Sequence, residues 1–189
     1  YQPYFCASLG VFAKQPVTAA VTEQFLKSIP ARFRYIDIYL NKGNLFTVED
    51  FPLTERINYV LSLNKPYNTI AEAYRNNLKR NIKKAEQSKL QVKQHIELDA
   101  IIALAKETMQ RVSAITDDQI NRFKKVVAHA KQFQQAETLG IYAANNQLLA
   151  SAVFLYSHKR WYYILVGNHP NGKTLGASHY LIDRFIALH

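Results

Sequence analysis

The spacing of hydrophobic and polar positions in the first third of the chain predicts short strands around one helix. Apolar positions in residues 33–40 and 56–63 alternate with period two, and residues 4–13 also favour a strand. Residues 18–29 place Val21, Phe25 and Ile29 on one helical face before Pro30 ends the pattern. A turn is expected at residues 41–44, and Asn64-Lys65-Pro66 suggests a domain boundary.

The remaining chain predicts helices first and then three strands in quick succession. Capping boxes at Thr69/Glu72 and Thr116/Gln119 predict helix starts, the first helix running to residue 87 and the second to about residue 133. A strand at 91–96 and a helix at 98–112 lie between them. The later strands are 138–144, 148–157 and 160–166, and a helix is expected after residue 174.

The connections between the three later strands define the fold class. These connections, at Asn145-Asn146 and His158-Lys159, are too short for a crossover, so the strands must be antiparallel. Helices flanking a mixed, mostly antiparallel sheet make an α+β fold. The predicted domains are residues 1–65 and 66–189.

Composition and charge narrow the environment and the partners. The 189 residues carry a formal net charge of +10, which predicts an anionic partner. No run of 18 apolar residues occurs in the sequence, so no transmembrane segment is expected. A single cysteine excludes an internal disulfide and suits a reducing compartment, so we expect a cytoplasmic protein.

Residues 167–178 contain two overlapping patterns for binding phosphate. Residues 167–174 match G-x-x-x-x-G-K-T, which is typical of a nucleotide phosphate loop. Residues 173–178 are a loose version of [RQ]-x-x-G-x-[GA], the loop that holds the diphosphate of coenzyme A in GNAT acyltransferases. The antiparallel strands favour the second interpretation, with a nucleotide loop and a simple helix-capping turn as alternatives. The predicted donor-binding residues are Gly172, Lys173, Thr174, Leu175, Gly176, Ala177 and Ser178.

A cluster of cations lies on the helix predicted from residue 69. Its members are Arg75, Lys79, Arg80, Lys83 and Lys84. Such a run is either a solvated helix face or a contact surface for a polyanion such as transfer RNA.

Residues 77–85 resemble the basic helix that opens the second half of Fem-type peptidyltransferases and their GNAT relatives. Residues 2–5, 9–12 and 172–183 resemble bacterial members of the same group. The resemblance implies two GNAT-like halves, of which residues 1–65 would be the end of the first and residues 66–189 most of the second. Lys173 and Ser178 depart from the usual pattern, where Arg or Gln and Gly or Ala stand.

The resemblance implies an N-acyltransferase without a metal. The donor would be acyl-CoA, such as acetyl-CoA, or aminoacyl-tRNA, and the acceptor an amine such as a cell-wall precursor. The hypothesis predicts a bulge or splay between the strands that end near Ser157 and Val166. Two functions of other classes stay open, a non-catalytic module that binds RNA or anions and a nucleotide-binding protein.

Candidate proton-transfer residues lie on the later strands. They are Glu137, Tyr162 and Tyr163, with Tyr142 as a further choice. His179 and Asp183 have the i, i+4 spacing of a metal pair, but with no third ligand evident we expect them to face solvent.

Overall fold

The computed structural model describes residues 5–6, 8–44, 51–108 and 114–189. The chain forms two compact units, Tyr1–Val60 and Leu61–His189. The helices are α1 Ala19–Lys27, α2 Tyr67–Glu72, α3 Asn76–Gln87, α4 Leu98–Thr108, α5 Asp117–Gln132, α6 Pro170–Leu175 and α7 Ala177–Leu188. The strands are β1 Gln91–Gln94, β2 Ala136–Tyr142, β3 Leu148–Ser157 and β4 Arg160–Asn168.

In the first unit the helix prediction is confirmed and the strand predictions are wrong. Thr18 caps α1 by accepting a hydrogen bond from the Val21 amide at 3.3 Å. The helix buries Thr22 and Leu26, whereas Phe25, on the face predicted to be buried, is 58% exposed. Among the described residues of 4–13 and 33–40, extended pairing is limited to a single bridge between Leu9 and Leu40.

The predicted strand at residues 56–63 is also wrong, because these residues have no regular secondary structure. An alternating sequence becomes a strand only when another strand satisfies its main-chain groups. The turn at residues 41–44 is confirmed by the hydrogen bond from the Asn44 amide to the Asn41 carbonyl at 3.0 Å.

The sheet of the second unit confirms the predicted strands and their directions. The order is β1-β2-β3-β4, and every neighbouring pair is antiparallel. Both residues of the His158-Lys159 turn have positive φ, 50° and 59°, as a tight two-residue hairpin turn requires.

One of the two predicted helix starts is confirmed and the other is wrong. Thr116 and Gln119 form the capping box before α5, with hydrogen bonds of 3.4 and 3.0 Å. The Thr69/Glu72 box is absent because the helix is capped at Pro66, three residues earlier, and the Thr69 amide donates to the Pro66 carbonyl at 3.0 Å. The expected single helix is split into α2 and α3 at Arg75, whose backbone is extended. Predicted residues 109–112 of the next helix lie outside the described residues.

Helices cover both faces of the sheet. Leu139 and Ile141 of β2 belong to a buried cluster with Leu181 and Phe185 of α7 and Ala85 of α3. Side chains alternate between the two faces of a strand, so Thr138 and Gly140 face the other way. There Thr138 Oγ1 donates to the Ile96 carbonyl at 2.8 Å, close to the start of α4. The α+β fold class is confirmed.

Candidate functional site

The pairing of β3 with β4 contains the bulge that the acyltransferase hypothesis predicts. Val153 pairs with Leu165 and Phe154 with Tyr163, so Ile164 is an extra residue on β4. A bulge re-aims the side chains beside it. Here Tyr163 lies against Phe154, with ring centroids 5.2 Å apart, on the sheet face that α7 covers. In the described part of the chain β4 is an edge strand.

The prediction of a loop at residues 167–174 is wrong, because most of these residues belong to a strand and a helix. Gly167 and Asn168 end β4, and α6 follows at once with Pro170 in its first turn. The His169 side chain caps α6 by accepting from the Asn171 amide at 3.1 Å. The amides of Gly172 and Lys173 both donate to the His169 carbonyl, at 2.8 and 3.3 Å. Because these two amides already donate to a main-chain carbonyl, they are not available to bind a nucleotide phosphate. The nucleotide-loop alternative also requires a parallel sheet, whereas this sheet is antiparallel.

The glycines of this segment allow close packing. A Cβ on Gly172 would lie 2.4 Å from the carbonyl oxygen of Leu149. Gly176 ends α6 in the left-handed conformation, with φ +72°. Thr174 and Leu175 lie inside α6. Of the seven predicted donor-binding residues, Ala177 and Ser178 provide amides at a helix start, because α7 begins at Ala177 without a side-chain cap.

A groove of about 610 Å³ runs from this helix start along β4. At one end lie Lys173, Ser178 and His179. The wall on the strand side is formed by Tyr163, Val166 and Asn168, and the opposite wall includes Tyr74 and Asp183. Leu78, Ile182 and Ile186 make much of the remaining lining apolar. A volume of this size is typical of small-molecule sites.

Asp183 is a buried carboxylate at this groove. It is 1% exposed, so the expectation that it faces solvent is wrong, whereas its predicted partner His179 is exposed. Its Oδ1 accepts from the Tyr67 hydroxyl at 2.8 Å, and its Oδ2 accepts from Arg184 Nε at 2.9 Å. Among the described residues no group of side chains is arranged to hold a metal ion.

Two tyrosines of the groove have strongly raised pKa values. Desolvation raises the pKa of Tyr163 to about 12, although 43% of this residue is exposed. Desolvation raises the pKa of Tyr74 to about 12, and the charge of Asp183 and a side-chain hydrogen bond to it add to this shift. Both hydroxyls therefore keep their protons at physiological pH.

The structure places the three predicted proton-transfer residues apart. Tyr163 lines the groove. Tyr162 alternates to the other face of β4, where it pairs with Leu155. The Oε1 atom of Glu137 lies 3.1 Å from His189 Nε2, just after the end of α7. Tyr74 and Asn168 also line the groove but were not among the predicted site residues, and Asn168 stands inside the glycine-rich pattern of residues 167–174.

The basic cluster lies on α3 and at the residue that precedes it. All five predicted cations, Arg75, Lys79, Arg80, Lys83 and Lys84, are exposed. The opposite side of α3 buries Ala85 against α7. The carbonyl of Asn81 lies beside Gly176, so the middle of α3 crosses the chain where α6 ends and α7 begins.

Within the described ranges, no helix combines the length and apolar character needed to cross a membrane.

No curated protein matches the chain. A family model described as acetyltransferase (GNAT) domain matches residues 72–187, which lie in the second unit. The Fem-type branch, and residues 1–65 as the end of a first half, stay predictions. The match covers more than half of the chain, which therefore belongs to the GNAT acyltransferase family, whose members typically take the acyl group from acyl-CoA.

Proposed function

We propose that the groove along β4 binds acyl-CoA and that the enzyme transfers its acyl group to a primary amine. The observation that carries this proposal is the continuity of the groove. It joins the start of α7, where an anion is favoured, to Tyr163 beside the bulge, where a hydroxyl proton is available.

The donor diphosphate is proposed to bind at the first turn of α7. The amides of Ala177, Ser178 and His179 lie in this turn, which has no side-chain cap. Free amides and the helix dipole favour negative charge there. Lys173, which also lines this end of the groove, adds a positive charge.

The arm of coenzyme A is proposed to follow β4 from that point. Asn168 Oδ1 is a buried acceptor without a hydrogen-bond partner among the described residues, and Asn168 lines the groove. A buried acceptor of this kind is costly unless a ligand supplies a donor. The arm of coenzyme A carries amide N–H groups that can do so, which supports acyl-CoA as the donor.

The residues of this chain have two roles in the proposed reaction. They donate one proton, and they hold the two substrates in the orientation needed for attack. The amine nitrogen attacks the thioester carbonyl carbon, and the C–S bond of the tetrahedral intermediate then breaks. Tyr163 gives its hydroxyl proton to the departing thiolate sulfur. The excess proton on the new amide nitrogen leaves through water and restores Tyr163.

A second donor, aminoacyl-tRNA, is favoured by one specific observation. The exposed cations of α3 flank Asn81, which is next to the start of α7. A nucleic-acid backbone bound there would reach the same helix start. A cell-wall precursor as acceptor is supported by the resemblance of residues 77–85 to the Fem-type helix.

The experiment is a parallel calorimetric titration of the full chain with acetyl-CoA, ATP with Mg²⁺, and transfer RNA. Binding of acetyl-CoA, with thiol release when a panel of primary amines is added, is the expected result. Binding of transfer RNA without binding of acetyl-CoA would favour aminoacyl-tRNA as the donor. A response to ATP with Mg²⁺ and none to acetyl-CoA would contradict both proposals.

A further inference from the structure

We propose that the basic helix α3 is the docking surface for an acidic carrier protein that presents its acyl group on a phosphopantetheine arm. Such a partner, which presupposes the proposed acyl transfer, delivers the donor to the groove. A phosphopantetheine arm is also the part of coenzyme A that bears the thioester. Both donors therefore offer the groove the same chain, and they differ in what lies beyond the phosphate.

The cations of α3 lack the acidic neighbours that neutralise charge elsewhere on the surface. On α5, for example, Arg122 pairs with Asp118 at 2.9 Å. On α3, in contrast, Arg80, Lys83 and Lys84 are exposed and form no ion pair with any described residue. Arg80 and Lys84 have the i, i+4 spacing at which like charges repel each other. An anionic partner relieves this repulsion.

These cations lie at the end of the groove where the donor phosphate is proposed to bind. The carbonyl of Asn81 lies beside Gly176, directly before the start of α7. Arg80 and Lys84 share one stripe of α3 next to Asn81. Leu78 of the same helix lines the groove. Whatever is attached to the outer side of the phosphate therefore lies close to α3.

The groove and α3 together favour a carrier protein over transfer RNA. Asn168 Oδ1, the buried acceptor that lines the groove, needs an N–H donor, and the phosphopantetheine arm contains two amide groups. Single-stranded RNA is commonly recognised by stacking of its bases on aromatic side chains, whereas α3 contains no aromatic residue. An amide-binding groove beside a purely cationic helix fits an acidic protein that carries an amide-containing arm.

The test uses the full chain, a panel of primary amines and an acyl carrier protein that is acetylated on its arm. The reference donor is S-acetyl-4′-phosphopantetheine, which is the arm without the protein. The KM for the acetylated carrier protein is expected to be at least about tenfold lower than the KM for the free arm, because complementary charges add to its affinity. Calorimetry with the apo carrier protein, which lacks the arm, should still show binding that weakens as salt is raised.

Arg80→Glu and Lys84→Glu reverse the charge beside the groove. Each variant should raise the KM for the acetylated carrier protein at least about fivefold. The KM for the free arm should stay within about twofold, and the unfolding temperature should hardly change, because both side chains are exposed. Lys125→Glu is the matched control, since Lys125 is an exposed cation of α5, which does not line the groove. This variant should leave both KM values unchanged.

The outcomes separate the docking surface from the proposed function. If neither acetyl-CoA nor the free arm is a donor, the proposed function is contradicted, and binding of the apo carrier protein still tests the surface. Equal KM values for the carrier protein and the free arm would overturn the docking surface. Retention of the lower KM in both Arg80→Glu and Lys84→Glu, or tighter binding of transfer RNA than of the apo carrier protein, would overturn it as well.

Discussion

The carbonyl oxygen of Asn81 on α3 lies 2.5 Å from the position that a Cβ on Gly176 would occupy. This contact brings the basic helix to the point where α6 ends and α7 begins. It also explains why glycine stands at this position, since Gly176 has both a left-handed backbone and no room for a side chain. The glycine that resembles part of a diphosphate-binding pattern is therefore required by packing.

Replacement of Gly176 by alanine should destabilise the second unit. The left-handed conformation alone costs an alanine about 1–2 kcal/mol, and the contact with Asn81 adds to this cost. Urea unfolding followed by circular dichroism measures the loss. Gly176→Asn separates the two causes, because asparagine tolerates positive φ but still carries a Cβ. Stability equal to that of the unaltered protein in Gly176→Ala would contradict the packing argument.

The sheet of the second unit could be predicted because its strands and turns are specified by residues that are close together in the sequence. Alternating and apolar runs between polar turn residues predicted the strands, and the short connections between them predicted their directions. The same alternation was misleading at residues 33–40, where Tyr35 is 79% exposed, because the existence of a strand depends on a partner that the local sequence does not specify.

The groove could be predicted only in part. Lys173, Ser178 and Tyr163 stand in or beside recognisable patterns, and the structure brings all three to the groove. Asp183 has no such local signal, because its burial depends on Tyr67, which is 116 positions away along the chain. The capping role of His169 was hidden by the glycine-rich pattern in which it stands.

The donor site can be tested with Ser178→Asp. An aspartate in the first turn of α7 stabilises a helix by about 0.3–1 kcal/mol, so the protein should remain folded. The same charge would repel the donor diphosphate, and calorimetry should show acetyl-CoA affinity reduced by more than about tenfold. Gln119→Glu places an equal charge in the first turn of α5, away from the groove, and should leave the acetyl-CoA affinity unchanged. Retained affinity in Ser178→Asp would remove this turn from the donor site.

Tyr163→Phe should reduce kcat about 100-fold or more and leave the Kd for acetyl-CoA unchanged, because the hydroxyl acts only as an acid. The pH dependence follows from the raised pKa of about 12. An acid with an ordinary tyrosine pKa would lose its proton around pH 10, whereas Tyr163 keeps it, so kcat should not fall between pH 8 and pH 10. Thiol release in stopped-flow experiments measures both. A fall in kcat centred near pH 10 would argue against this assignment.

Tyr67→Phe should lower the free energy of unfolding by about 1–3 kcal/mol, because the variant leaves Asp183 Oδ1 buried without its hydroxyl donor. Urea unfolding is the measurement. Tyr59→Phe is the control, since Tyr59 is 89% exposed and its variant should unfold like the unaltered protein. Unfolding of Tyr67→Phe at the same urea concentration as the unaltered protein would contradict this prediction.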